Sequence, residues 1–172
     1  MSLCKLDANL KRNDACGYSL PEIVTIYLAN FEDVAGSITP TADTAGCESI
    51  ATIPSGITWY QIDPAKNSAS FTDELVVEDN GTKYRTHTLT FNTLGNYTAC
   101  QHLAFDQLSL GKYVAIIKTA EGSYLMLGRL TGLEASTAVL NGGSENNGMN
   151  IVLAANTTES VVPTVAPTTI AA

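Results

Sequence analysis

The dipeptide Asn80-Gly81, set between the strand-like runs "SFTDELVV" and "TKYRTHTLTF", constrains this chain more than any other feature. Asn-Gly favours a two-residue type I′ hairpin, and so short a turn fixes the register of both strands. Pairing Asp79 with Thr82 sets Glu78 opposite Lys83, Val76 opposite Arg85, Glu74 opposite His87 and Thr72 opposite Leu89. Partners on that face are largely charge-complementary, which supports a cross-strand ladder. The other face then carries Phe71, Leu75, Val77, Tyr84 and the threonines 86, 88 and 90, and is the expected core side. Residues Glu74, Glu78, Lys83, Arg85 and His87 become a wet, charged surface on a long hairpin, the first candidate contact surface.

Further strands follow the same reasoning. "EIVTIYLANF" is rich in β-branched and aromatic residues and apolar on both faces, as a central or covered strand should be. "ITWYQID" resumes strand character before a turn at residues 64–68. "KYVAIIKT" and "SYLMLGRL" form a hairpin around Ala120-Glu121-Gly122, and "EASTAVLN" and "MNIVLAAN" form another around "NGGSENNG". One helix is expected over residues 98–109, opened by a capping box of Thr98 with Gln101 and stopped at Gly111. Its Cys100, Leu103, Ala104 and Leu108 fall on one stripe, expected to lie on a sheet. Residues 32–56 show no sustained period and read as a long loop. The organisation is an N-terminal arm at 1–20, a β-rich domain at 21–156 and a flexible extended tail at 157–172, whose prolines bar a central strand.

With 172 residues, of which 45% are hydrophobic and 15% charged, the chain has room for one core and a mainly β composition with one short helix. A net charge of −8 with scattered Lys and Arg repels a phosphate backbone and argues against specific nucleic-acid binding. The charged N-terminus lacks the apolar stretch of a secretory signal, and no apolar run has the length of a membrane helix, so a soluble protein made in a cytoplasm is expected. In that setting Cys4, Cys16, Cys47 and Cys100 are expected as reduced thiols.

Candidate chemistry is sparse. No nucleophile sits in a catalytic frame, and the four cysteines lack the paired spacing of a zinc site. His102 falls beside the helix stripe and His87 on the charged hairpin face, both as ordinary structural histidines. Asp73 and Glu74, like Glu78 and Asp79, are neighbours on a strand and point to opposite faces, so neither pair can share a substrate. Enzymatic activity, a metal and a cofactor are therefore not expected. Hairpins, arms and edges are the means by which a protein meets copies of itself.

Two strands joined by a tight hairpin, a short helix, then hairpins ending in an extended tail resemble the tail-tube fold of tailed phages, shared with haemolysin-coregulated-type ring proteins. The strings "IYLANFEDV", "HTLTF", "YLMLGRLTGLEAST" and "GGSENNGMNIVLAAN" resemble small virion proteins of crAss-like phages that infect Bacteroides, mostly over residues 83–156. The resemblance implies an antiparallel β-sandwich or barrel and a ring subunit, commonly hexameric, with sheets joined edge to edge around a DNA channel and the helix outside. It implies copies of itself and neighbouring virion proteins as partners, DNA passing without specific binding, no membrane, and a place in the virion. The hairpin of residues 71–91 would line the channel or reach the next ring. The 32–56 loop and the Pro/Thr tail depart from a plain tube subunit and fit a neck or tail-terminator component equally. The competing class is a β-sandwich module binding carbohydrate or peptide through Trp59, Tyr60, Tyr84 and Tyr97.

Overall fold

Two strands, apolar on both faces, organise the molecule. In the computed structural model, which describes residues 22–93, 99–142 and 148–171, these are β1 (Ile23–Asn30) and β7 (Lys112–Thr119), paired antiparallel along almost their whole length. Val24 is the extra residue of a β-bulge, 45% exposed, and the bulge turns Ile23 onto the same side as Ile26 and Leu28. About half the chain, 51%, is strand, every pairing between named strands is antiparallel, and no sheet closes on itself.

The main sheet runs in two halves joined at β7. On one side, β4 (Tyr60–Ile62) flanks β1, and β8 (Tyr124–Leu127) flanks β7 and carries β11 (Val162–Thr164) on its outer edge. The first residues of β7 also pair with β9 (Leu133–Asn141), which leads through β10 (Gly148–Thr157) and β6 (Lys83–Thr93) to the edge strand β5 (Ser70–Val77). Strands β8 and β9 thus lie in succession along one flank of β7. The five residues between them leave the sheet as a tight corner, where Gly132 N–H bonds the Gly128 carbonyl at 2.8 Å.

Folding over at that corner buries Leu89, Phe91, Ile151 and Leu153 against Ile26, Leu28, Ala115 and Ile117 in one core. The opposite face of β1 and β7 contributes Tyr27, Ala29, Val114 and Ile116 to a second core. Its cover is the segment expected as a long loop. That segment holds most of the single turn α1 (Phe31–Val34) and the small hairpin β2 (Thr41–Ala42) and β3 (Glu48–Ser49), and it sends Val34, Ile38, Ile50 and Ile53 inward, joined by Ile57 and Trp59 from the run expected as a strand. These side chains plug a flat sheet from irregular backbone, so they show no period.

The C-terminal residues, expected as a free tail, lie against the same body. Ile50 N–H bonds the Pro163 carbonyl, Trp59 N–H the Thr169 carbonyl and Ala171 N–H the Trp59 carbonyl, while Val162 and Pro167 are buried. The tail is extended as its prolines require, but it is a strap laid on an edge. The N-terminal arm lies outside the described residues.

The hairpin register differs from expectation by one residue. Val77 pairs with Lys83, Leu75 with Arg85, Glu74 with Thr86 and Asp73 with His87. Glu78 and Thr82 close a three-residue turn in which Gly81 adopts φ +83°, the left-handed residue that completes a type I turn with a bulge. A one-residue slip exchanges the faces, and the core decides it. In this register Phe71 joins Leu89 and Phe91 on the inner side, whereas the I′ register would split them. The threonine ladder faces outward and His87 inward, at 2% exposure.

Helix α2 (Ala99–Leu110) forms where expected, and of the expected stripe only Leu108 packs inward. Phe105 and Leu108 pack on the first core, while Cys100, Leu103 and Ala104 are exposed. Apolar residues spread over more than half of the helix's circumference, and Phe105, the largest of them, is on the side that meets the core. Thr98, the expected cap, lies outside the described residues.

Candidate functional site

The densest polar cluster sits where the β5–β6 hairpin, the 128–132 corner and the C-terminal strap meet. Because Asp73 and His87 are cross-strand partners and Arg85 is two residues from His87, all three point to the inner face near the open end of the sheet. Arg85 Nε donates to Asp73 Oδ1 at 2.6 Å, and Val161 N–H, from the strap, donates to Asp73 Oδ2 at 3.0 Å. Gly128 N–H donates to His87 Nδ1 at 3.3 Å, and His87 Nε2 lies 3.6 Å from Asp73 Oδ1. Beside it Arg129 grips Glu159 with two hydrogen bonds, 2.5 and 3.0 Å, and donates through Nη1 to the Ile38 carbonyl at 2.9 Å. The cluster ties four stretches of chain together.

Its electrostatics follow from burial. Burial pushes the Asp73 carboxyl up, but the Arg85 hydrogen bond, the Val161 N–H and the charges of His87 and Arg85 outweigh it and hold the group below its ordinary value. For His87, burial depresses the imidazole; Asp73 and the Glu159 carbonyl and charge pull upward, Arg85 adds to the depression, and the net effect keeps the ring neutral. With Nδ1 accepting from Gly128, the proton of the neutral ring is on Nε2, which lies 3.6 Å from Asp73 Oδ1 and beside the Glu159 carbonyl.

His87 is buried and its Nδ1 is taken up by the Gly128 N–H, and the hydrogen bonds of the cluster join distant stretches of chain, so the geometry is that of a clasp. Among the described residues no group of three or more His, Cys, Asp or Glu is placed to hold a metal, and no helix is long and apolar enough to cross a membrane. Cys47 and Cys100 are exposed free thiols, and Cys4 and Cys16 lie outside the described residues.

Of the hairpin residues singled out from sequence, only Arg85 and His87 enter the clasp. Glu74 faces Thr86 across the ladder and not His87, Lys83 faces Val77 and not Glu78, and the nearby Glu78 carboxylate adds to the upward push on the Tyr84 hydroxyl that burial begins. Asp73, Arg129 and Glu159 were missed. Asp73 was hidden by the register slip, but Glu159 left a signal, as the only charge in the last seventeen residues. Of the aromatics that would argue for a binding module, Trp59 is fully buried in the second core, Tyr60 is 51% exposed, Tyr84 is half-buried and Tyr97 lies outside the described residues.

Fold and cluster together define a mainly β, antiparallel protein whose sheet does not close and whose densest polar cluster is a clasp between stretches of chain. Comparison with known proteins finds no matching family model, no matching curated protein and no matching solved structure.

Proposed function

We propose that this chain is a structural subunit of a bacteriophage virion, a tail tube, neck or tail-terminator component that assembles with copies of itself into rings around a DNA channel. The observation that carries the reading is the edge strand β5. It ends the sheet with unpaired backbone, and Leu75 and Val77, 54% and 57% exposed, continue the core-facing side beyond the body. An edge strand with apolar side chains is a template for another chain, and a repeated edge contact closes into a ring when its rotation permits. Beyond Trp59, which the strap covers, Tyr60–Ile62 of β4 offer a second, shorter edge for the other half of such a contact. The net charge of −8 fits a lumen that lets DNA slide, since carboxylates repel phosphates.

Negative-stain microscopy of the purified full chain, with sedimentation velocity over a concentration series, tests this. Rings or tubes of uniform diameter are expected. A monomer at every concentration, with featureless particles, overturns the reading.

A further inference from the structure

We propose that Asp73, Arg85, His87, the Gly128-Arg129 corner and Glu159 form an acid-sensitive latch, which holds residues 157–171 on the body at neutral pH and loosens that hold in mild acid. This goes beyond the assembly reading and applies to the single chain, whatever its oligomeric state.

The geometry at His87 carries the inference. The neutral ring keeps its proton on Nε2, because Nδ1 accepts the Gly128 N–H at 3.3 Å. A second proton must go on Nδ1, where it would meet that N–H head-on, two donors facing each other with no acceptor between them. Gly128 does not retreat freely, since its carbonyl accepts the Gly132 N–H at 2.8 Å in the tight corner. The next residue is Arg129, whose two hydrogen bonds to Glu159 are the strongest polar hold on the strap. Displacing the corner therefore pulls on the anchor directly.

The charged groups facing His87 are Asp73 from β5, Arg85 from β6 and Glu159 from the strap. The two carboxylates favour an imidazolium, whereas burial and Arg85 oppose it and prevail. Lifting the strap returns the ring to water and to its ordinary affinity near pH 6.5. The closed form then binds fewer protons than the open one, so the hold is complete above about pH 6.5 and is lost as pH falls below it, by up to about tenfold per unit. Asp73, held below 3.8, adds a separate loss only in stronger acid.

Hydrogen exchange of the full chain at pH 7.5 and 5.5, corrected for intrinsic rates, reads the latch. Protection of residues 157–171 should fall by up to about tenfold between the two, while the β6–β10 ladder is unchanged. His87→Gln, an amide that accepts and donates without titrating, should hold the strap equally at both pH values. Strap protection that is the same at both pH values in the unsubstituted protein, or that falls equally in both proteins, overturns the proposal. Should His87→Gln not fold, NMR titration of the unsubstituted chain decides: the His87 ring and the strap amides must share one midpoint, and separate midpoints overturn the latch.

Discussion

Asp73 is the side chain on which most separate parts of the chain converge, since it answers Arg85 on the neighbouring strand and Val161 on the strap at once. Asp73→Asn keeps the shape and removes the charge, and should cost about 1–3 kcal/mol in urea unfolding at neutral pH. Because its folded pKa lies below 3.8, the unfolded chain binds more protons in the window beneath that value. The stability it contributes is present above about pH 4 and lost as pH falls through the folded value, so the variant should show a flatter acid limb. Equal limbs would remove Asp73 as the cause. Gly81 is a simpler case: nothing lies within 4 Å of where a Cβ would stand, and only the φ of +83° restricts it. Gly81→Val should lower unfolding free energy by about 1–3 kcal/mol, and Gly81→Asn by less, because Asn tolerates the left-handed region. The turn at Gly81 was legible from the Asn-Gly pair; the role of Asp73 was not, because a turn longer by one residue moves each side chain of the strand to the other face.

Helix α2 and the C-terminal strap show why elements were easier to find than to orient. The helix and all three hairpins were visible in periodicity and turn residues, which are local properties. Which helix face packs depends on where Phe105 meets a sheet assembled from distant residues, and local pattern does not carry that. Phe105→Ala should therefore cost about 2 kcal/mol or more by thermal or chemical unfolding, and Leu103→Ala, 59% exposed, less than about 0.5. Reversed costs would mean the helix rests on the stripe read from sequence. The strap was misread for a related reason: prolines exclude a central strand but allow an edge, and Val162, Pro163 and Pro167 use that allowance. Deleting residues 158–171 uncovers the β8 edge and part of the second core, and should lower stability by about 3 kcal/mol or more with increased dye binding to exposed apolar surface. An unchanged melting temperature would make the strap a passenger.

Across the whole molecule, β1 and β7 form a septum with a core on either side, and the polar clasp closes the periphery. In the proposed ring, contact between copies would then fall to the edges. The double variant Leu75→Lys and Val77→Lys adds charge to an exposed edge, so it should leave the monomer within about 0.5 kcal/mol of its original stability while abolishing rings in negative stain. Rings that persist would move the contact elsewhere. The arrangement also sets a load path. A pull on the start of the described chain acts on the 8-residue β1, bonded along its length to β7 and flanked by β4, whereas a pull on its far end acts first on the isolated bridge of the strap to Trp59 and then on the 3-residue β11. The two ends differ in mechanical strength, so tension along the chain would strip the C-terminal end and leave the septum under little strain.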